Sequence, residues 1–467
     1  MDENFKRKRG SELARKFEEN LKRQQFSFFD LEDYEEIISY YISLNKPKKA
    51  LQASKQAESQ YPYSVEIMLL KAQSLISLEG YNEALAVLAS AETFQPNEAE
   101  IFMIRGSLLS LQLKVEEAHE EFKKALLFAE NKDDVYYHLG ALEQSQENYD
   151  EAIEYYEKAL EENIYNETVL YDLAYCLDNT GRMAESIELY KKFIDVEPYS
   201  YFAWYNLGIS YSKLEKVEEA KEAFEYAVII EDEFASAHFN LGNAHLQTED
   251  FSKALEAFYK TLELEGPGSD LYNMIGTVYE KLEQYDLGLK YFQKSAKLES
   301  LNDQSWYGAG LCMSKLNRWY EAVHFFNKAL KINTNSALYW QAIAEADYKV
   351  GNLISSIDAY EEAVMLMPES PKTWINWSYI YFEQGEIKRA LNTIKRGLEE
   401  NIENAELLYR LAAYYIADNK YQEAFESLEN ALILDFEKHT VLLEFFSNID
   451  TQKALFKIIE KFRKENS

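Results

Sequence analysis

Cysteine, proline and glycine are scarce in this chain of 467 residues, which contains 2 cysteines, 7 prolines and 16 glycines. The two cysteines, Cys176 and Cys312, cannot supply a disulfide framework, so the fold does not require an oxidising compartment. Because residues that form turns are rare and residues compatible with helices are abundant, the composition predicts helices joined by short turns.

Long apolar segments are also missing. The chain has no run of about 18 or more apolar residues, which excludes a membrane-spanning helix. The amino-terminal sequence MDENFKRKRGSELARKFEEN is charged and no apolar stretch follows it, so we expect no secretory signal. These absences predict a cytoplasmic protein that does not insert into membranes.

The net charge is -32, although each of the two ends has a net positive charge. Residues 1–26 and residues 451–467 each carry +3, so the stretch between them carries -38. Such a field attracts basic partners and repels nucleic acid backbones and anionic membranes. We therefore expect protein partners with basic or aromatic and apolar segments, and no nucleic acid.

The sequence repeats itself every 34 residues from Leu31 to Lys438 without insertion or deletion. We number positions within each repeat from 1 to 34. The predicted repeats are 31–64, 65–98, 99–132, 133–166, 167–200, 201–234, 235–268, 269–302, 303–336, 337–370, 371–404 and 405–438. Residues 1–30 are interpreted as a basic arm and cap whose Phe26, Phe28 and Phe29 fold back on the first repeat, and residues 439–467 as degenerate capping helices.

Small and large residues recur at fixed positions of the repeat. Position 20 is Ala, Ser or Gly in every repeat, and position 8 is glycine at Gly106, Gly140, Gly208, Gly242, Gly276 and Gly310. Glycine in a helix costs about 1 kcal/mol relative to alanine, so its recurrence predicts close approach of a paired helix. Position 24 is aromatic in eight consecutive repeats, from Phe122 to Tyr360, and position 4 is usually aromatic, as at Trp204.

This pattern resembles the tetratricopeptide repeat, which has the same period and the same small and aromatic positions. The resemblance covers about nine-tenths of the chain, from Leu31 to Lys438. It implies an all-α fold, namely a right-handed superhelical solenoid of about twelve 34-residue helix-turn-helix repeats with terminal caps. It also implies a concave groove, lined by the first helix of each repeat, that receives peptides or partner helices.

In the resemblance, groove residues occupy positions 2, 5, 9, 12 and 13. Aromatic residues are frequent at these positions, and aromatic side chains are enriched at binding hot spots. The aromatic groove candidates are Tyr137, Tyr171, Tyr175, Phe202, Tyr205, Phe239, Tyr307, Tyr348, Tyr379, Phe382 and Tyr409. The alternative is that some of them pack between adjacent first helices.

Polar and charged residues supply further groove candidates. Asn206, Asn240 and Asn243 resemble a row that could hold a peptide backbone, although the row is broken and isolated polar residues explain it better. Lys281, Lys315 and Lys349 repeat at position 13 and could bind a partner's carboxylates, but solvated helix ends are the favoured interpretation.

The acidic residues Glu32, Glu35, Glu66, Glu100 and Asp134 could receive a basic partner segment or the protein's own arm. Acidic residues at position 2 also complement the positive amino end of a helix, which explains Glu66, Glu100 and Asp134 without a ligand.

No residue pattern points to an enzyme. The six histidines include no HExxH motif, and His238 and His245 occupy positions where aromatic residues pack. Gly266 to Gly268 lies at an expected turn and lacks the Lys or Ser of a phosphate loop. We therefore predict a non-catalytic scaffold or adaptor without a metal or cofactor. A self-associating structural protein and a regulatory subunit of a partner enzyme remain alternatives.

Overall fold

The computed structural model describes residues 2–22, 28–445 and 449–466, and every regular element in these ranges is helical. The chain divides into two compact halves, Met1–Glu231 and Asp232–Ser467. Among the described residues, no helix has the length and apolarity needed to cross a membrane. The predicted all-α repeat architecture is confirmed over the described residues.

The described residues of the N-terminal half form thirteen helices. They are α1 (Asp2–Lys22), α2 (Leu31–Ser43), α3 (Pro47–Gln60), α4 (Val65–Ile76), α5 (Tyr81–Phe94), α6 (Ala99–Leu111), α7 (Val115–Phe128), α8 (Asp133–Ser145), α9 (Tyr149–Glu162), α10 (Glu167–Asn179), α11 (Met183–Val196), α12 (Tyr201–Lys213) and α13 (Val217–Ile230). Helices adjacent in sequence pack on each other, and the even-numbered helices from α2 to α12 also contact their even-numbered neighbours. The even-numbered helices therefore form one continuous layer.

The C-terminal half continues the same alternation. Its helices are α14 (Ala235–Gln247), α15 (Phe251–Glu265), α16 (Ser269–Lys281), α17 (Tyr285–Leu298), α18 (Asp303–Lys315), α19 (Trp319–Ile332), α20 (Ala337–Val350), α21 (Leu353–Leu366), α22 (Pro371–Glu383), α23 (Ile387–Glu400), α24 (Ala405–Ala417), α25 (Tyr421–Leu434), α26 (Thr440–Phe445) and α27 (Ile449–Asn466). A single 3-10 turn, Glu437–His439, precedes α26. The even-numbered helices α2 to α24 begin at the first residues of the predicted repeats.

Side-chain caps fix where six of these first helices begin. The residue at position 34 accepts a hydrogen bond from the backbone N–H three residues later, over 3.0 to 3.4 Å. Such a cap satisfies one of the backbone donors that a helix start leaves unpaired. The capping residues are Ser64, Asn166, Ser200, Asn302, Ser336 and Asn404.

The turn inside each repeat depends on position 15, which the sequence analysis did not single out. This residue has a φ between 51° and 85° in all twelve repeats. Three repeats place glycine there, and nine place a residue with a side chain, for which the left-handed region is unfavourable. The residues are Asn45, Glu79, Leu113, Glu147, Gly181, Glu215, Glu249, Glu283, Asn317, Gly351, Gly385 and Asn419.

In the six repeats that have glycine at position 8, an aromatic ring fills the space that the missing side chain leaves. A Cβ atom added to Gly208 would lie 2.6 Å from the Phe224 ring, and one added to Gly242 would lie 2.6 Å from the Phe258 ring. Both rings are fully buried. The same pairing joins Gly106 to Phe122, Gly140 to Tyr156, Gly276 to Phe292 and Gly310 to Phe326. The predicted close approach of paired helices is therefore an insertion of the position-24 ring against bare backbone.

The first helix and the segment after it cover the start of the array. Phe17 and Phe29 are buried and pack against Tyr34, with ring centroids 6.3 Å and 5.5 Å away. Phe28 is 75 % exposed, although its ring lies 6.2 Å from that of Tyr61. Phe29 therefore folds back on the first repeat as expected. Phe28 does not, because most of its side chain is exposed, and Phe26 lies outside the described residues.

We expect Leu113→Gly to raise the free energy of unfolding by about 1 kcal/mol, the approximate cost of a left-handed residue with a side chain. Leu113 is 81 % exposed, so little packing is lost with its side chain. Gly181→Leu, at the same position of another repeat, is the matched control and should lower stability by a similar amount. Denaturant unfolding followed by circular dichroism measures both, and an unchanged midpoint for Leu113→Gly contradicts the prediction.

We expect Gly208→Val to lower the free energy of unfolding by about 1–3 kcal/mol, because its side chain would occupy the space of the Phe224 ring. Phe224→Leu should remove part of that clash. The double variant should therefore lose less stability than the sum of the two single losses. Simple additivity of the three unfolding measurements would contradict the proposed contact.

Candidate binding site

Four of the aromatic groove candidates at position 5 lean on the position-24 ring of their own repeat. All four are partly buried. The ring pairs are Tyr137 with Tyr156 at 6.0 Å, Tyr205 with Phe224 at 5.8 Å, Phe239 with Phe258 at 5.8 Å and Tyr307 with Phe326 at 5.7 Å. These four rings therefore pack on the second helix of their own repeat, whereas the predicted alternative placed such residues between adjacent first helices. These side chains stabilise the position-24 ring as well as facing the surface.

Tyr171 and Tyr175 are aromatic candidates whose side chains remain exposed to solvent. They lie one turn apart on α10 and are 47 % and 43 % exposed. Phe202, at the start of α12, is partly buried and its ring centroid lies 6.0 Å from that of Tyr171. These three residues, called here the α10–α12 aromatic patch, join the first helices of two consecutive repeats.

At the C-terminal end, the chain covers two of its own groove candidates. The ring of Phe445, on α26, lies 4.9 Å from that of Phe382 and 6.3 Å from that of Tyr379. The guanidinium of Arg410 lies 4.8 Å from the centre of the same Phe445 ring and 5.7 Å from that of Tyr379. The sequence analysis missed Arg410 and Phe445, since neither occupies a predicted groove position.

Two other aromatic candidates have partners within the chain. Tyr409 is fully buried and its hydroxyl donates a hydrogen bond of 2.8 Å to the carbonyl of Asp435, so its assignment to the groove is wrong. Position 5 of this repeat faces the core because α26 and α27 pack over α24, with Leu442 buried beside it. Tyr348 is partly buried and donates a hydrogen bond to the carboxylate of Glu383.

The asparagine candidates do not form an open row. Asn206 is buried and its amide donates to the carbonyl of Phe202 over 2.9 Å, one turn earlier in the same helix. Asn240 makes the same bond to Ser236 over 3.0 Å. Asn243 is partly buried. The assignment of Asn206 to the peptide-binding surface is therefore wrong, because its side chain is buried and its amide donates to the backbone of its own helix.

The lysine candidates are all exposed at the carboxyl ends of α16, α18 and α20. Lys281 lies 3.6 Å from a carboxylate oxygen of Glu280, and the ammonium of Lys349 lies 5.7 Å from the centre of the Tyr348 ring. Lys315 also occupies the last turn of its helix. Positive charge at a helix end complements the helix dipole, so the three lysines have a local role whether or not they bind a partner.

Two acidic candidates of the first repeats have raised pKa values, because they are partly buried and lie near other carboxylates. Burial, together with neighbouring Glu66 and Glu32, raises the pKa of Glu35. Burial, followed by Glu98 and Glu66, raises the pKa of Glu100. The basic arm contacts other carboxylates, since Arg9 pairs with Glu36 at 2.9 Å and with Asp33 at 3.3 Å. Arg9 of the arm therefore pairs with two carboxylates that were not among the predicted acidic candidates.

The cysteines have the environment of packing residues. Both Cys176 and Cys312 are fully buried, and burial raises the pKa of each thiol to about 12. Reactive cysteines are usually partly exposed and have a lowered pKa. Across the described ranges, no cluster of three or more His, Cys, Asp or Glu residues has an arrangement that could hold a metal ion. His238 is buried, and its ring nitrogen lies 3.0 Å from the carbonyl oxygen of Asp232.

Comparison with solved structures yields several helical repeat proteins of low similarity. YrrB, described as a TPR protein with an unusual peptide-binding site, is 22 % identical over 39 % of this chain and 95 % of its own, with a TM-score of 0.34. The APC/C hetero-tetramer Cut9–Hcn1 is 15 % identical over 82 % of this chain and 90 % of the matched chain, with a TM-score of 0.43. Pseudomonas aeruginosa pilF is 18 % identical over 48 % of this chain and 95 % of its own, with a TM-score of 0.38. Such similarity does not say what this chain binds.

Family models give a more specific result. No curated protein sequence matches the chain. Three models of the tetratricopeptide repeat match it at residues 134–164, at 167–200 and 269–300, and at 205–270 and 375–435. These matches lie in both halves and coincide with the paired helices and the buried small positions described above. The chain belongs to the tetratricopeptide repeat family.

Proposed function

We propose that the protein is a non-catalytic scaffold that binds a peptide or helical segment of partner proteins on the surface of its first helices. Its repeated side chains are used for packing, and the tetratricopeptide repeat is typically an interaction module. The proposal includes partners with basic and aromatic or apolar segments, because the array between the two ends is strongly acidic.

The observation that carries this proposal is the pair Tyr171 and Tyr175. Large aromatic side chains usually lose solvent contact in a fold, and here two of them stay nearly half exposed on one face of α10. They are rigid, amphipathic anchors that supply a large contact area at low entropic cost. The neighbouring Phe202 ring extends this surface onto the next first helix.

The C-terminal end supports the same mode of binding. There Phe445 lies on the rings of Phe382, Tyr379 and Tyr414, with centroid distances of 4.9 to 6.3 Å. The chain thus places one of its own aromatic side chains on first-helix aromatic residues. A partner segment with an aromatic residue could occupy the corresponding surface around Tyr171 and Tyr175, where both rings remain exposed.

We expect Tyr171→Ala combined with Tyr175→Ala to reduce partner capture at least about tenfold, the loss expected from two interface anchors of ~1 kcal/mol or more each. Helical content should not change, because both side chains are largely outside the core. The matched control is Tyr320→Ala with Tyr421→Ala, two tyrosines that are 77 % and 65 % exposed on second helices. Quantitative mass spectrometry after affinity capture from the source extract compares the three baits.

Equal capture by all three baits would contradict the assignment of the site. Recovery of the bait alone, together with a dimeric mass in solution, would instead favour self-association. Binding to a basic partner should also weaken as salt rises from about 0.05 to 0.5 M, since exposed charges are then screened. Salt-independent capture would contradict the preference for basic partners.

We expect Glu100→Gln to stabilise the protein at pH 7 and to have no effect below about pH 4, where the acid is protonated in both states. The physical reason is that burial and the nearby carboxylates raise the folded pKa of Glu100, which makes its charged form unfavourable. The stability difference should therefore grow as pH rises through the folded pKa. Thermal unfolding of both proteins at several pH values measures it, and a difference independent of pH would contradict the stated cause.

A further inference from the structure

Tryptophan at position 4 makes one recurring contact across the boundary between repeats. In four repeats its indole N–H donates to the carbonyl of the residue six positions earlier, which is position 32 of the preceding repeat. The bonds run from Trp204 to Pro198, Trp306 to Ser300, Trp340 to Thr334 and Trp374 to Pro368, over 2.8 to 3.0 Å. The indole therefore occupies a defined place beside the loop that joins two repeats.

Position 26 of the same repeat provides the other surface for this indole. The ring of Tyr226 stacks on that of Trp204 with centroids 4.4 Å apart, and the ammonium of Lys328 lies 4.0 Å from the centre of the Trp306 ring. Both an aromatic ring and a lysine can thus cover the indole face.

Repeat 167–200 has the same surroundings but no indole. Its position 4 is Leu170, and a cleft of about 920 Å³ lies where α9, α10 and α11 meet. Leu170, Leu173 and Leu177 form its floor, while Ile164 at position 32 and Lys192 at position 26 line its sides. We call this the α10 cleft. Its volume falls within the range of about 300–1,000 Å³ that ligand pockets typically have.

The walls of the α10 cleft combine apolar and acidic side chains. Leu160 and Leu189 face it from α9 and α11, and Glu157, Glu161, Glu185 and Glu188 also line it. The charge is concentrated on α9, which carries six carboxylates and one lysine. Glu185 pairs with Arg182, the residue before α11, at 2.7 Å, and Glu188 pairs with Lys191 of α11 at 2.9 Å, so α11 contributes less negative charge. An apolar cleft beside an acidic helix favours an apolar group carried by a cation.

We propose that the α10 cleft binds a tryptophan side chain of a positively charged partner segment. The indole would take the place that the chain's own tryptophan occupies in four other repeats, with Lys192 over its face and the backbone of Ile164 beside its N–H. Acidic α9 would receive the partner's basic residues. The α10 cleft is lined by residues of α9, α10 and α11 that do not include Tyr171 or Tyr175, so this proposal does not depend on the proposed function of those two tyrosines.

Three indole compounds that differ in charge test the chemistry. Tryptamine is a cation, N-acetyltryptophanamide is neutral and indole-3-acetate is an anion. Leucine methyl NMR of the full chain should show shifts of Leu160, Leu173 and Leu189 with tryptamine, with a Kd on the order of 1 mM as expected for a fragment of this size. The neutral compound should bind more weakly, and the anion at least about threefold more weakly than the cation.

Leu170→Trp tests the place of the site. The new indole should fill the cleft, so the tryptamine shifts should disappear while the thermal midpoint stays equal to that of the unmodified protein or rises. The matched control is Leu408→Trp, which makes the same change at position 4 of repeat 405–438 and should leave the shifts unchanged.

Several results would overturn the proposal. These are the absence of methyl shifts up to about 10 mM tryptamine, equal binding of indole-3-acetate, and shifts that persist in Leu170→Trp. A large loss of stability in Leu170→Trp would also overturn it, because the cleft would then not match the space that an indole fills. Tyr171→Ala with Tyr175→Ala should leave tryptamine binding intact, which separates this site from the proposed first-helix surface.

Discussion

Six of the twelve repeats depend on one shared contact, the insertion of a position-24 ring against the bare backbone of position 8. Because the glycine lacks a Cβ, the ring lies where a side chain would otherwise separate the two helices. Each such contact offsets the conformational cost of glycine in a helix, about 1 kcal/mol, by burying a whole aromatic side chain. Once the distance between the helices of a pair is fixed in this way, the outward positions of the first helix can vary without loss of the fold.

This division explains what could be predicted from the sequence. Because this contact recurs in six repeats, residues such as Gly208 and Phe224 identify the helix pair from the sequence. The starts of the first helices follow from the 34-residue period, and the structure adds that capping residues such as Ser200 and Asn302 lie immediately before them. The turn residue at position 15 escaped notice because Leu113 and Glu147 adopt a backbone conformation that their residue types do not announce.

The candidate site was less predictable, because the position of a residue in the repeat does not determine whether its side chain is exposed. Tyr171 and Tyr205 occupy the same position, yet Tyr171 is exposed while Tyr205 lies on the ring of Phe224. Tyr409 is buried because capping helices cover α24, and that burial depends on contacts with a part of the sequence that does not follow the repeat. Arg410 and Phe445 likewise come together only through the terminal helices.

Departures from the repeat are therefore the informative residues, and repeat 167–200 has two of them on one helix. On α10, Tyr171 and Tyr175 remain exposed, while Leu170 replaces the aromatic residue that other repeats use to reach the preceding loop. The same helix thus presents two rings outward and leaves an unfilled apolar space beside it. Leu170 is fully buried with Tyr190 and Ala174 in the core of this pair, so the repeat is packed without an indole at position 4. Residues of α10 that are not required for packing of the pair can contact another molecule, and this is why we place both proposed sites on α10.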